Sequence, residues 1–340
     1  MKVIDLLEKL VAHEVLSFEE SFFLMERIGT GHLSETQIAF LLGLYRVRFP
    51  TVDELKGFVE ALLSLCHRLS WEDEESLDVC GTGGDGKNTF NISTLSALVV
   101  SASGYKVVKH GNYALSSACG SSDVLEYLGY RFTHEEDILR RQYENCHICF
   151  LHAPLFHPAM RYVAPVRKSL GMPTLFNFLG PLINPAQPKK QLVGVKDLFL
   201  ARIYMYLAQE RKKDFWIIHS LDGYDEVSLS APYVLYRVNK RYEVSSGEGP
   251  HFPNLLSTQD LLGGNNIPEA AKIFIKILSG EGTEAQNQVV IVNSALAIRL
   301  ASKEQVGWEE ALSIAREVLL SGEAKKNFKR LLNLSKPSQS

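Results

Sequence analysis

The segment with the clearest chemistry is a glycine-rich stretch between residues 78 and 94, which reads DVCGTGGDGKNTFNIST. Its four glycines follow a short apolar segment, so backbone N–H groups can converge on an anion without side chains in the way. A helix predicted to begin near Asn91 or Ser93 would add unpaired amides and the positive end of its dipole. The stretch therefore predicts a phosphate site, with a glycine-rich turn that binds nothing as the alternative. It matches neither a Walker loop nor a dinucleotide fingerprint.

A lysine stands where the next predicted strand ends. The chain reads KHGN from Lys109 to Asn112, followed by small and hydroxyl residues up to Asp123. Ligands of α/β folds bind at the carboxyl ends of parallel strands, so a cation and hydrogen-bond donors placed there suit a polyanion. The alternative for Lys109 is an ordinary solvated lysine.

An acidic pair, Asp225 and Glu226, provides ligands of the kind that Mg²⁺ prefers. Adjacent residues of an extended strand point to opposite faces, so both carboxylates reach one metal site only if they lie on a turn. The Asp222-Gly223 dipeptide just upstream favours such a turn. A solvated acidic turn without metal is the alternative.

The elements that must position these residues fall into two groups. The first seventy residues are predicted to be helical, with capping boxes at Ser17/Glu20, Ser34/Gln37 and Thr51/Glu54. From about residue 76, strands and helices alternate, which is typical of βα units on a largely parallel sheet. The predicted strands are 77–79, 105–108, 148–151, 191–195, 215–219 and 233–238. The predicted helices are 93–103, one capped by Thr133 with Glu136, 268–278, one capped by Thr283 with Gln286, and 308–320.

Composition excludes several classes of protein. The chain has 340 residues, 46% of them hydrophobic, and a formal charge of −3, which predicts no general attraction for nucleic acid. No uncharged apolar run approaches the roughly 18 residues that a membrane span requires, so we expect a cytoplasmic protein. The five scattered cysteines do not resemble a disulfide framework, and the CxxC at Cys146 and Cys149 lacks partners with zinc spacing.

Taken in order, the motifs of this chain resemble those of the anthranilate phosphoribosyltransferases. GTGGDG, FNIST, KHGN, HPAM, VAPVRKSLG, FNFLGPLINPA and DGYDEVSL follow one another as in that family. Each motif alone is weak, but the ordered set is highly specific and covers most of the chain. The resemblance implies transfer of the phosphoribosyl group of 5-phosphoribosyl 1-pyrophosphate (PRPP) to the amine of anthranilate, in tryptophan biosynthesis.

The resemblance also implies a nucleoside phosphorylase/phosphoribosyltransferase-like architecture. A small all-helical domain, residues 1–70 joined by about 168–188, would pack on a larger α/β domain with a mainly parallel central sheet, residues 71–167 and 189–340. The active site would lie between the domains and use two Mg²⁺ ions. A homodimer formed through the helical domain is expected.

Site residues are transferred one by one from the same resemblance. The set expected to bind PRPP is Gly81, Gly84, Asp85, Thr89, Asn91, Ile92, Ser93 and Thr94. The set expected to hold phosphate and pyrophosphate is Lys109, His110, Gly111, Ser116, Ser117 and Ser121. Asn112 and Arg167 match the anthranilate contacts, while His157 and Pro181 resemble walls of the path by which the aromatic acid arrives.

The metal ligands implied by the resemblance are Ser93, Asp225 and Glu226, and the catalytic set is Lys109, Arg167, Asp225 and Glu226. His110 or His157 could accept a proton, with structural histidines as an equal alternative. Two positions depart from the family pattern, because Tyr113 and Pro173 stand where many members have arginine.

Two other functions stay open at this point. A pyrimidine nucleoside phosphorylase shares the architecture, although phosphorolysis does not need a metal pair bound to pyrophosphate. A nucleic-acid-binding relative would need a continuous basic surface, which the net charge does not favour.

Overall fold

The computed structural model describes residues 1–71, 73–113, 119–238, 256–336 and, as backbone, 244–248. These residues form two compact units. The small unit comprises Met1–Leu69 and Ala153–Pro185, and the large unit comprises Ser70–His152 and Ala186–Ser340. Ser116 and Ser117, both expected to bind phosphate, lie outside the described residues.

The small unit is built of helices, and helices and strands alternate through most of the large unit. The helices are α1 Val3–Val11, α2 Phe18–Gly29, α3 Glu35–Val47, α4 Val52–Ser64, α5 Ile92–Ala102, α6 Ser121–Tyr127, α7 Glu136–Cys146, α8 Ala153–Phe156, α9 Met160–Leu170, α10 Leu198–Glu210, α11 Ile267–Leu278, α12 Glu284–Ala301, α13 Trp308–Leu320 and α14 Glu323–Leu334. The strands are β1 Leu77–Gly81, β2 Val107–Gly111, β3 Ile148–His152, β4 Lys190–Gly194, β5 Asp214–Ser220, β6 Tyr233–Val238 and β7 Val244–Glu248. None of the helices in the described ranges has the length and apolar content needed to cross a membrane.

The small unit is all-helical, as expected, but its second segment begins at Ala153 instead of about residue 168. The difference arises because α9 packs against α2 and α3. The backbone N–H of His67 also donates to the carbonyl of Phe156 at 2.8 Å. These contacts attach residues 153–167 to the helices of the small unit.

Capping boxes set the starts of four helices, as predicted. At each start the N-cap hydroxyl accepts from the backbone amide three residues on, and the side chain of that residue accepts from the N-cap amide. The N-caps are Ser17 at α2, Ser34 at α3, Thr51 at α4 and Thr283 at α12. The predicted box at Thr133 is wrong, because α7 begins at Glu136 with Glu135 as its N-cap. The Thr133 hydroxyl instead accepts from the Glu135 amide, only two residues away.

Within the small unit, the carboxylate of Glu54 is fully buried and accepts five hydrogen bonds. The donors are the amides of Leu16 and Thr51, the hydroxyl of Tyr45 and both terminal nitrogens of Arg48, at 2.6–3.0 Å. Burial opposes ionisation of Glu54, but hydrogen bonds from Arg48 and from the two amides outweigh it and lower the pKa. One carboxylate therefore connects the segment before α2, the end of α3 and the start of α4.

The large unit is built on a seven-stranded sheet of order β3-β2-β1-β4-β5-β6-β7. In this order the five strands from β3 to β5 are parallel to one another. Strand β6 is antiparallel to both of its neighbours, β5 and β7. The chain first builds the sheet from β1 towards β3 and then returns to place β4 on the other side of β1. The carboxyl ends of β1 and β4 therefore flank a topological switch point, where open α/β sheets bind ligands.

Helices α5 and α12 form the centre of the large unit's core. They pack against each other, and α12 is buried over most of its circumference, with Val289, Val292 and Leu296 in the core. A helix that is apolar all round is expected inside a protein. Because α5 also packs on β1, the two elements that flank the glycine-rich stretch are held against each other.

Candidate active site

The glycine-rich stretch forms a loop from the end of β1 to the first turn of α5, which begins at Ile92 with Asn91 as N-cap, as predicted. One side of the loop is anchored where the amide of Thr82 donates to the carbonyl of Gly194 at 2.9 Å. The other side is anchored because Thr89 pairs with Leu262 in an isolated bridge. Between these anchors, Gly83, Gly84 and Gly86 adopt positive φ, which other residues rarely do.

The acidic pair lies on a turn, as the sequence required, in the bends between β5 and β6. The Asp225 carboxylate accepts a hydrogen bond from the amide of Gly83 at 2.7 Å. The Glu226 carboxylate accepts one from the amide of Ser93 at 2.9 Å. The two acids thus contact the loop at its glycines and at the first turn of α5.

Two glycines permit this close approach. A Cβ on Gly81 would lie 2.4 Å from Oδ2 of Asp225, and one on Gly194 would lie 1.3 Å from the Asp225 carbonyl oxygen. Both distances are far below van der Waals contact. The ends of β1 and β4 must therefore be glycine for the acidic turn to rest on them.

Lys109 is buried, with 3% of its surface exposed, and lies within β2 rather than after it. Its ammonium donates to the carbonyl of Val79 on the neighbouring strand and to the hydroxyl of Ser93 at 3.3 Å. Its charge also lowers the pKa of Glu226, although burial and the charge of Asp225 have larger, opposite effects. A buried cation is thus held next to the Ser93 hydroxyl and acts on Glu226 through its charge.

The carboxylates crowd one another. Burial, and then the charge of Asp85, raise the pKa of Asp225 to about 7. Burial, and then the charges of Asp225 and Asp85, raise the pKa of Glu226 well above its ordinary value. Carboxylates that repel one another in a buried place are stabilised as anions when a cation binds between them.

The donor set fits Mg²⁺, because all the groups that converge are hard oxygen ligands. Asp85, Asp225, Glu226 and the Ser93 hydroxyl contribute them. Among the described residues no cluster of three or more His, Cys, Asp or Glu could hold a metal by itself. Mg²⁺ does not require such a cluster, since it usually binds through one or two carboxylates, waters and substrate phosphates.

At the end of β2 lie four more of the predicted residues, His110, Gly111, Asn112 and Ser121. The Asn112 side chain accepts from the amide of Tyr113 at 2.8 Å, and its carbonyl accepts from the Ser121 hydroxyl at 3.4 Å. Gly111 lets Ser121 approach, since a Cβ there would lie 3.0 Å from its hydroxyl oxygen. His110 is buried, and its backbone amide donates to the Asp78 carboxylate at 3.4 Å.

The first turn of α5 contains the remaining predicted residues of the large unit. Ile92 and Thr94 are buried, and Asn91 donates from its side chain to the carbonyl of Cys119 at 3.5 Å. Within the described ranges, the buried hydroxyl of Thr94 has no hydrogen-bond partner.

Tyr113, where many family members have arginine, makes aromatic contacts. Its ring meets that of His152 edge-on at a centroid distance of 4.6 Å, and its hydroxyl donates to Glu126 at 3.2 Å. His152 also stacks on Phe132 and bonds to Ser122. The Tyr113 side chain is therefore held towards α6, which contains Glu126.

The other predicted residues belong to the small unit. Arg167 lies near the end of α9, with its guanidinium over the ring of Phe176 at 5.7 Å and donating to Asn177 at 3.2 Å. Burial lowers its pKa to about 10, so it stays a cation at neutral pH. His157 and Pro181 are buried. Burial lowers the pKa of His157 to about 4, which leaves it neutral and a weak proton acceptor.

A sheet with this order, a phosphate-type loop and an adjoining acidic turn define a glycosyl transferase of the class that has a helical bundle and an α/β domain. The profile of the glycosyl transferase family, helical bundle domain, matches residues 4–66, and that of the family's a/b domain matches residues 73–325. Together they cover most of the chain.

Curated relatives and solved structures narrow the class. Anthranilate phosphoribosyltransferases of Cytophaga hutchinsonii and Flavobacterium psychrophilum are 47% and 46% identical, over 96% and 97% of this chain and 98% and 99% of theirs. The structure of the Thermus thermophilus enzyme aligns with a TM-score of 0.87 at 32% identity, over 97% of this chain and 99% of that one. The Saccharomyces cerevisiae enzyme in complex with PRPP and Mg aligns at 0.86 and 25% identity, over 98% and 97%.

The chain belongs to the anthranilate phosphoribosyltransferase family. Its activity is transfer of the phosphoribosyl group of PRPP to the amine of anthranilate, which gives N-(5-phosphoribosyl)anthranilate and pyrophosphate in tryptophan biosynthesis.

Sequence reasoning missed the residues that shape the acidic turn. Gly194, Ser220 and Asn293 all contact its backbone, as the hydrogen bonds and glycine contacts show. A glycine one residue before the end of the predicted strand 191–195 was the available signal for Gly194. A polar residue amid the apolar sequence VVIVNSALAI was the available signal for Asn293.

Proposed function

We propose that the transfer takes place where the glycine loop, the first turn of α5 and the acidic turn meet. The observation that carries the proposal is that Asp225 and Glu226 accept hydrogen bonds from Gly83 and Ser93. Metal ligands and a phosphate-binding loop are thereby joined in one site, which is what a substrate with a metal-bound pyrophosphate needs.

PRPP would bind along the loop and the helix start. Backbone amides of the loop and the N-terminal end of α5 favour phosphate groups, because they present unpaired N–H donors. Lys109 would supply positive charge from below, as its ammonium already reaches the Ser93 hydroxyl. The residues proposed to contact PRPP in the described ranges are Gly81, Gly84, Asp85, Thr89, Asn91, Ile92, Ser93, Thr94, Lys109, His110, Gly111 and Ser121. Ser116 and Ser117 complete the set on the strength of the family resemblance.

Two Mg²⁺ ions would be held by Ser93, Asp225 and Glu226 together with the substrate phosphates. When bound, Mg²⁺ neutralises charge that develops on the departing pyrophosphate. Lys109 and the loop amides contribute to the same stabilisation with groups that are fixed before the reaction.

Anthranilate would be bound by Arg167 and Asn112, with His157 and Pro181 shaping its approach. Arg167 suits this role because a planar guanidinium can bind a carboxylate through two hydrogen bonds. The aromatic amine is neutral near pH 7 and carries its own lone pair. It can therefore displace pyrophosphate at the anomeric carbon without a covalent enzyme intermediate, and positioning supplies much of the rate.

His157 is unsuited to act as a strong general base. His157 has a pKa of about 4 because it is buried. We propose that the proton lost by the amine passes to water or to the departing pyrophosphate instead of to His157.

A homodimer formed through the small unit is part of the proposal. Apolar side chains are exposed on α1 and α3, where Ile4, Val11 and Phe40 line a groove of about 490 Å³. Apolar surface that remains exposed on a single chain favours association. We also propose that the protein is cytoplasmic.

The substitution Glu226→Gln tests the proposed site. The glutamine side chain keeps an oxygen that can accept from the Ser93 amide, so the turn should stay folded while one negative charge is lost. We expect magnesium-dependent turnover to fall at least tenfold, about 1.4 kcal/mol of transition-state stabilisation. The assay is anthranilate consumption with PRPP over a Mg²⁺ titration.

Glu317→Gln on the exposed face of α13 is the matched control and should be silent. Rates of the unaltered protein that did not depend on Mg²⁺ would rule out the proposed metal site. Thymidine with phosphate, offered in place of the two substrates, should give no product.

A further inference from the structure

The backbone of the acidic turn, residues 221–230, is held by side chains that the reaction does not use. The Ser220 hydroxyl donates to the carbonyl of Glu226 at 2.6 Å and accepts from the amide of Ser228 at 3.3 Å. The Asp222 carboxylate accepts from the hydroxyls of Ser228 and Ser230. These contacts fix the turn from the β5 side.

Asn293 holds the turn from the opposite side. Its Oδ1 accepts from the amide of Val227 at 3.1 Å, and its Nδ2 donates to the carbonyl of the same residue at 2.9 Å. Val227 directly follows Glu226. One side chain therefore satisfies both backbone groups of the residue next to the acidic pair.

The side chain of Asn293 is itself held in place within α12. It is 4% exposed, and its Nδ2 also donates to the carbonyl of Val289 one helical turn earlier, at 2.9 Å. The bond to Val289 requires the nitrogen of the Asn293 amide on that side, so it selects one orientation of the amide. Because α12 packs on α5, the same helix pair supports Asn293 and the amide of Ser93 that Glu226 contacts.

The pairing requires a primary amide. Only Asn and Gln present a donor and an acceptor side by side, whereas a carboxylate lacks the donor and an aliphatic side chain lacks both. Removing the amide leaves a buried N–H and a buried C=O without their partner, which favours a rearranged turn over the native one.

We infer that Asn293 is a positioning residue that holds Asp225 and Glu226 in the geometry needed to bind Mg²⁺. The inference rests on the proposed function, because it assumes that the acidic pair binds the metal. Asn293 acts through Val227 and touches no substrate. Its loss should therefore weaken metal binding more than it weakens the use of anthranilate.

The test compares Asn293→Ala and Asn293→Leu with Ser294→Ala. Leucine keeps the branched shape of asparagine without its hydrogen bonds, although it is larger, and alanine covers the opposite case of a smaller side chain. Ser294 is the matched control because it is the next residue of α12 and is also buried. Among the described residues its hydroxyl bonds within its own helix, to the carbonyl of Val290 at 2.7 Å.

Binding of Mn²⁺, which takes the same oxygen ligands, is measured by electron paramagnetic resonance in the presence of PRPP. Turnover is measured separately against Mg²⁺ and against anthranilate, and folding is checked by circular dichroism. We expect both Asn293 variants to bind Mn²⁺ at least tenfold more weakly and to recover turnover as Mg²⁺ is raised. Their KM for anthranilate should stay within twofold, and Ser294→Ala should match the unaltered protein.

Three results would overturn the inference. One is Mn²⁺ binding by the Asn293 variants equal to that of Ser294→Ala, and another is an equal rise in the anthranilate KM. The third is failure of both Asn293 variants to fold, because the residue would then serve folding instead of the site. If the unaltered protein itself showed no Mn²⁺ binding with PRPP and no Mg²⁺ requirement, the proposed function would fail first.

Discussion

The substitution Gly81→Ala tests whether the end of β1 must lack a side chain to keep Asp225 in place. The new Cβ would lie 2.4 Å from Oδ2 of Asp225 and 3.1 Å from its Cγ. The carboxylate would have to retreat by roughly 1 Å to reach ordinary van der Waals contact. Because the obstructing atom is the tip of a side chain, Asp225 should yield and the strand should not.

The size of the effect follows from the hydrogen bond that this movement breaks. The Gly83 amide donates to Asp225 at 2.7 Å, and a hydrogen bond to a charged group contributes about 1.5–3 kcal/mol. Each 1.36 kcal/mol corresponds to a factor of ten. We therefore expect the Mg²⁺ concentration for half-maximal turnover to rise at least tenfold, and the thermal unfolding temperature to fall by a few degrees because the same hydrogen bond is lost from the folded protein.

The assay follows anthranilate fluorescence in the presence of PRPP as Mg²⁺ is varied. Gly307→Ala is the matched control, since its added methyl group meets no atom within 4 Å. Gly194→Ala provides a contrast, because its Cβ would meet the backbone of Asp225 at 1.3 Å and should impair folding as well. An unchanged Mg²⁺ requirement in a folded Gly81→Ala protein would refute the steric argument.

Three further predictions concern the small unit. Arg167→Ala should raise the anthranilate requirement by about 1.5–3 kcal/mol, measured as KM, and Arg167→Lys should not restore it; a change confined to PRPP affinity would contradict this role. The lowered pKa of Glu54 gives stability that is complete above its unfolded value and is lost as pH falls through the folded value. Thermal unfolding of the unaltered protein should therefore weaken in acid, and Glu54→Gln should flatten that dependence while lowering stability at pH 7. Phe40→Asp should convert the proposed dimer to monomers in sedimentation velocity, and an unchanged sedimentation coefficient would argue against the groove of α1 and α3 as the interface.

Local sequence signals predicted the local features of the fold well. A hydroxyl with Glu or Gln three residues later specifies its own hydrogen bonds, so the boxes at Ser17, Ser34 and Thr51 needed no tertiary information. The same pattern failed at Thr133, where the helix begins at Glu136 and the hydroxyl caps a turn. A capping pattern shows what can pair, but tertiary packing decides where the helix starts.

Two elements carried little signal. Strand β7 reads VSSGE, without the apolar alternation that identifies a strand, and it is defined by its pairing with β6. Helix α14 is rich in charged residues and has Gly322 in a left-handed conformation as its N-cap, without a side-chain cap. Strand β7 depends on the strand just before it in the chain, and α14 depends on α5 and α7, which are distant in sequence.

The candidate site divides in the same way. The glycine loop was recognisable from spacing, because backbone access to an anion is a local property. The contacts from Asp225 to Gly83 and from Glu226 to Ser93 span 142 and 133 residues, so no local pattern could establish them. Their role was expected from the family resemblance, and the turn that joins them was inferred from geometry.

Sheet order explains how residues so far apart in sequence come together. The acidic turn follows β5, which is separated from β1 by β4, a distance of about 10 Å for two strand spacings. To reach the loop after β1, the turn must pass over the end of β4. Gly194 ends that strand, and its missing side chain leaves room for the carbonyl of Asp225, while its own carbonyl accepts from Thr82 of the loop. The strand between the two halves of the site is thus the support on which they meet, and a side chain at its last residue would separate the proposed metal ligands from the phosphate loop.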